Sequence, residues 1–171
     1  NNVSISGRVE IDDARIDGAL MLDAARIGED LWLRYGSAVE GPIVAIYARF
    51  GQNVDFTGAS LGSVDLTGTR IGGELRLGAP EPGRPPPSWR ETARLVLRNA
   101  SVAAWVDADV PDPAEEAICP ETKAGSWPGS IDVYGFGYDR IGGLGGGDQS
   151  LREDCRFYEA WLGRQEPFSL D

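Results

Sequence analysis

Apolar residues recur along the first half of the chain in a two-step pattern. Taking as an anchor the apolar residue two positions after a small one places anchors at Ile5, Ile16, Ile27, Val39, Phe50, Leu61 and Ile71. The intervals between them are 11, 11, 12, 11, 11 and 10 residues. Most anchors are followed four and six residues later by a second apolar pair: Val9/Ile11, Leu20/Leu22, Leu31/Leu33, Val54/Phe56 and Leu75/Leu77. The Val39 unit carries one extra residue before its pair, Val44/Ile46, and the Leu61 unit lacks one before Val64/Leu66. Each unit is thus two short stretches of period-two alternation joined by turn residues. That period predicts strands, with every second side chain facing inward.

Strands this short, with a Gly or Asp corner every five or six residues, do not make useful hairpins. They predict a coil that turns four corners in two units, about 22 residues, and stacks on itself through parallel strands. Ile5, Ile27, Phe50 and Ile71 then form one inward ladder, and Ile16, Val39 and Leu61 the opposite one. Ala14, Ala25, Ala48 and Ala59 fit corners where larger side chains would clash. A helix is the competing reading, since eleven residues make about three turns. Alternation such as Leu20-x-Leu22, and glycines throughout the stretch, argue against it. The fold class expected is all-β: a right-handed parallel β-helix, because parallel crossovers are overwhelmingly right-handed.

After Leu77 the regularity breaks. Residues 78–92 hold a Pro-rich run that leaves the coil as an insertion, since Pro cannot donate to a ladder. Leu95/Leu97 and Val102 return to the pattern, and residues 107–128 form a second, acidic insertion. Trp89, Trp105 or Trp127 is expected to cover the flank of the coil. Residues 130–143 resume it and a glycine run ends it. The β-helix is therefore placed at 1–149, with a short C-terminal capping helix and tail at 150–171. Ser150 with Glu153 forms a capping box, Gly163 a stop, and Leu151, Cys155, Tyr158 and Leu162 one apolar face.

The stretch VDFTGASLGSVDLTGTRIGG, residues 54–73, resembles the pentapeptide-repeat family, whose units build a right-handed quadrilateral β-helix. The coil is nearer 22 than 20 residues, and Arg often stands where that family has Asp or Asn. Residues 127–143 and the ending WLGRQEPFSLD are similar to bacterial β-helix proteins sometimes labelled membrane-associated oxidoreductases. In those, helical and membrane segments follow the β-helix. This chain stops at Asp171, where such segments would begin, so neither membrane attachment nor their activity carries over. The resemblance implies a fold; some pentapeptide-repeat proteins are acidic rods that imitate DNA and block topoisomerases.

Composition changes this picture little: 171 residues suit one domain, and 42% hydrophobic with 25% charged residues is ordinary for a globular chain. No apolar run reaches the roughly 18 to 20 residues that cross a bilayer, and no signal peptide opens the chain. A cytoplasmic setting is expected, with membrane association only through segments outside this chain. Its start reads as already inside a structural unit, as a fragment of a longer protein would. Charge matters more. The net charge is −11, with −4 over residues 1–79 and −7 over 80–171. That argues against direct nucleic-acid binding, which needs a basic face.

Candidate chemistry is sparse. Gly58-Ala59-Ser60-Leu61-Gly62 matches the nucleophile elbow, but it sits inside the repeats and the chain has no His to act as base. The glycine run lacks the marks of a phosphate-binding loop. Cys119 and Cys155 lack metal-site spacing, and are either two buried thiols or a disulfide tying the second insertion to the cap helix. The acid pairs Asp12-Asp13, Glu29-Asp30 and Glu115-Glu116 point adjacent side chains to opposite faces, which suits solvation better than a cation. No catalytic residue, metal ligand or cofactor site is expected, and the chain reads as a non-enzymatic scaffold or interaction module. Its partner is a protein or a neighbouring domain; an acidic, DNA-imitating inhibitor of a topoisomerase or another DNA-binding protein is the alternative. One feature points to a contact surface. Arg precedes the anchor at 15, 26, 49 and 70, and stacking two units apart puts Arg26, Arg49 and Arg70 in one column. Either Glu29, Asp30 and Glu74 neutralise that column or it binds a carboxylate-rich partner segment.

Overall fold

Two-residue strands are the working unit of this fold, because alternation lasts only long enough to aim one side chain inward between corners. The structure, a computed structural model, describes residues 3–77, 85–106, 128–141 and 165. Its first coil comprises β1 (Ser4–Ile5), β2 (Val9–Asp12), β3 (Arg15–Ile16) and β4 (Leu20–Met21). The second repeats it with β5 (Arg26–Ile27), β6 (Leu31–Arg34), β7 (Ala38–Val39) and β8 (Ile43–Val44). The third has β9 (Arg49–Phe50), β10 (Val54–Asp55), β11 (Ser60–Leu61) and β12 (Val64–Asp65). In the fourth, β13 (Arg70–Arg76) runs across two faces and is followed by β14 (Ser88–Trp89) and β15 (Arg94–Val96). Above it lie β16 (Ser101–Val106), β17 (Ser130–Asp132) and β18 (Gly137–Ile141).

Each strand pairs in parallel with its counterpart one coil away, giving a parallel β-solenoid. Ser4 pairs with Arg26, Arg26 with Arg49 and Arg49 with Arg70, offsets of 22, 23 and 21 residues. The inward ladders follow the register. Ile5, Ile27, Phe50, Ile71 and Val102 stack on one face, and Ile16, Val39, Leu61 and Trp89 on another. Leu31, Val54 and Leu75 fill a third and Ile43, Val64, Leu95 and Ile131 the fourth, all fully buried. Ala25, Ala48 and Ala59 are buried at corners, each donating its N–H to the carbonyl three residues back.

The repeated Asp-x-Thr-Gly phrase makes another set of corners. Asp55 Oδ1 accepts the Thr57 N–H at 2.9 Å, and Asp65 Oδ1 accepts the Thr67 N–H at 2.9 Å and its hydroxyl at 2.6 Å. Asp132 Oδ1 does the same for the Tyr134 N–H at 3.0 Å. The carboxylate closes the turn, and Gly58 and Gly68 then take φ of +69° and +64°, the left-handed region that suits glycine. Replacing Asp65 with Ala removes two hydrogen bonds to a charged acceptor. The expected loss is about 1–2 kcal/mol, a fall of about 3–6 °C in Tm, measured by thermal unfolding. Asp17→Ala, which removes only an exposed ion pair to Arg15, is the control and should leave Tm within about 2 °C.

Three expectations need correction. The Val39 unit carries no extra residue, because its inward pair is Ile43/Ala45, both fully buried, and not Val44/Ile46. The first insertion is shorter than 78–92, because Ser88–Trp89 is already a strand of the solenoid, paired with Ser60 and Leu61. The triple proline stops at 87, and nothing bars pairing beyond it. Trp89 and Trp105 do not cover the flank. Both are core residues, 7% and 2% exposed, standing where smaller residues stack in other coils. The second insertion up to residue 127, Trp127, and the expected capping helix lie outside the described residues, apart from Gln165. That residue bridges to Ile131 in parallel and accepts the Val133 N–H through its side chain at 2.8 Å. Among the described residues no helix is long and apolar enough to cross a membrane.

Candidate functional site

The outward positions of β5, β9 and β13 are Arg26, Arg49 and Arg70, stacked in register with Ser4 below and Ser101 above. Pairing strands sets the guanidinium-bearing positions ~4.8 Å apart, so the three span ~9.6 Å. Their backbone amides are consumed by the ladder: Arg26 donates to the Val3 carbonyl, Arg49 to Ala25 and Arg70 to Ala48. What remains for a partner is the side chains, all three of them exposed.

No acid neutralises the column among the described residues, and this corrects the expectation that Glu29, Asp30 and Glu74 would do so. Asp30 is buried and its carboxylate accepts both the backbone and side-chain N–H of Asn53 at 2.9 Å. Glu74, also buried, pairs with Arg76. Glu29 makes no ion pair to the column. Both Asp30 and Glu74 sit across a corner from it, on the face built by β6, β10 and the second half of β13.

Six other arginines behave differently. Arg8 pairs with Glu10, Arg15 with Asp17 and Glu40, Arg34 with Glu10 and Asp12. Arg76 holds Glu74, Arg90 holds Glu40 and Arg98 holds Asp132. Arg8 and Arg34 also lie over the Trp32 ring, 4.3 and 3.8 Å from its centre. Those side chains serve the fold. Among the described residues the column is left as three like charges, which repel one another.

Two residues further along each strand stand Gly28, Gly51 and Gly72. They too form a stack: a Cβ on Gly51 would press into the carbonyl oxygen of Gly28, and one on Gly72 into that of Gly51. The surface beside the arginines is therefore bare backbone. Together with Ser4, Ser6 and Ser101 these residues line an open groove of about 680 Å³. Sequence reasoning found the arginines and missed the glycines and serines. The signal was present as Arg26-Ile27-Gly28, Arg49-Phe50-Gly51 and Arg70-Ile71-Gly72, with Arg15-Ile16-Asp17 off the column.

The remaining candidates are dispersed. Ser60 lies within β11, between Ala38 and Ser88, in strand geometry and not at the strand-to-helix turn a nucleophile elbow needs. Cys119, Cys155, Glu115, Glu116 and the glycine run lie outside the described residues. Asp12 binds Arg34. Among the described residues no three His, Cys, Asp or Glu side chains come together as a metal would require. Comparison with protein-family models, with curated proteins and with solved structures gave no match.

Proposed function

We propose that this chain is a non-enzymatic interaction module of the quadrilateral β-helix kind, a stiff rod that holds Arg26, Arg49 and Arg70 against a carboxylate-rich segment of another protein or domain. One observation carries the reading: among the described residues these three arginines stack without a counter-ion, while six others on the same solenoid each hold an acid. Arginine suits carboxylates because its planar fork donates two parallel hydrogen bonds. A ladder fixes the backbone positions that carry the forks before any partner arrives, which lowers the ordering cost of binding. DNA imitation ranks second. It needs acids in columns, and here Asp55 stacks between Trp32 and Arg76, and Asp65 between Val44 and Val96.

The test is the triple replacement of Arg26, Arg49 and Arg70 by Gln. Binding of a fluorescein-labelled oligoglutamate peptide, followed by anisotropy, should weaken at least about 100-fold, as the loss of two charge-assisted contacts implies. Tm should stay level or rise, since the repulsion within the column is relieved. A lowered Tm with undiminished peptide binding would give the arginines a structural role and overturn the proposal.

A further inference from the structure

We propose that the groove selects an extended acidic segment lying along the solenoid axis with two carboxylates at positions i and i+2, a Glu-x-Glu or Asp-x-Asp phrase. This rests on the reading above and adds to it the spacing of the ligand. The argument is one of matching periods. The arginine positions repeat every ~4.8 Å, and alternate residues of an extended chain repeat every ~6.6–6.8 Å on one side. If the two carboxylates are centred on Arg49, each falls ~3.4 Å along the axis from it and ~1.4 Å short of Arg26 or Arg70. Each is then shared between the central fork and an outer one. Two anions are held by three cations, and no guanidinium is left unmatched.

Other spacings fit less well. Acids at i and i+1 point to opposite sides of an extended chain, so only one reaches the column. Acids at i and i+3 also fall on opposite sides. Acids at i and i+4 lie ~13 Å apart, beyond the ~9.6 Å span of the three arginines. The glycine stack supplies the second half of the site. With no side chain at 28, 51 and 72, the partner backbone can lie against the rungs while its carboxylates lean toward the arginines. The hydroxyls of Ser4, Ser6 and Ser101 stand at the two ends of the groove, placed to bond the backbone of that segment. The occupant is a short peptide and not a nucleic acid, because a net charge of −11 disfavours a long polyanion that extends beyond the three arginines.

Four labelled octapeptides of identical composition, each with two Glu in a Gly/Ser background, test the spacing at i+1, i+2, i+3 and i+4. A ten-nucleotide oligothymidylate is the fifth probe. Anisotropy titrations with the intact chain should show the i+2 peptide binding about tenfold tighter than the i+1 peptide, the worth of one charge-assisted contact. Arg49→Gln should erase the difference between peptides, since the central fork serves both carboxylates, and Arg49→Lys should shrink it. Equal binding of all four peptides, abolished by the triple Gln variant, would overturn the spacing and leave the acidic-partner reading standing. Absence of binding by every peptide would overturn both. Tighter binding of the oligonucleotide than of any peptide would overturn the choice of occupant.

Discussion

Replacing Phe50 with Asp should abolish cooperative unfolding of the domain. Phe50 is 2% exposed and stacks between Ile27 and Ile71, so its neighbours along the column are hydrocarbon. Truncating such an aromatic costs about 3–5 kcal/mol by itself. Putting a carboxylate there adds several kcal/mol more, because its column neighbours Ile27 and Ile71 offer neither a cation nor a side-chain donor. Total stability for a domain is about 5–15 kcal/mol, so little or nothing is left. Position strengthens the effect. In a solenoid each coil is stabilised by the coils above and below, and Phe50 belongs to the third, whose loss separates the rest. Circular dichroism melts are the measurement. Arg49→Gln, the adjacent residue pointing outward, should melt like the parent protein. A cooperative melt of the Phe50→Asp protein within a few degrees of the parent would refute the inward ladder.

That ladder was legible because alternation and interval together determine which residues share a face. Ile5, Ile27, Phe50 and Ile71 could be aligned by counting alone, and so could Arg26, Arg49 and Arg70 one residue earlier. Counter-ions were not legible. Glu29 and Asp30 are near Arg26 in the chain, but a corner intervenes and turns Asp30 toward Asn53 on the next face. Proximity along a coil is a poor guide when the chain turns a corner every few residues. Trp89 was misread for a different reason: three prolines before it suggested that the chain had left the solenoid, while the pairing with Leu61 resumes at once. The fifth coil hid a further irregularity. Gly72 and Gly73 together oppose a single residue between Val102 and Ala104, so β16 turns the corner with one residue fewer than β13 and the coils below it.

The glycine stack was the least legible part of the site, and it supports the second large expected effect. Gly51→Val should destabilise the protein by more than about 3 kcal/mol, a fall in Tm of about 6–12 °C. The new Cβ would sit against the Gly28 carbonyl oxygen, a backbone atom that cannot swing aside as a side-chain tip could. Relief requires the two rungs to part, which stretches the bond from the Gly51 N–H to the Ile27 carbonyl, now 2.9 Å. Gly72 rests on Gly51 in turn, so the rung above is lifted as well. Gly18→Val is the matched control. A Cβ at Gly18 has no neighbour within 4 Å, and its loss of backbone freedom on folding is reduced by the substitution, so its Tm should change by less than about 2 °C. The comparison isolates sterics from propensity, because both replacements put the same β-branched residue at an outward position. Equal losses at 51 and 18 would mean that the stack tolerates side chains. The groove floor would then be bare by accident and not because the solenoid requires it.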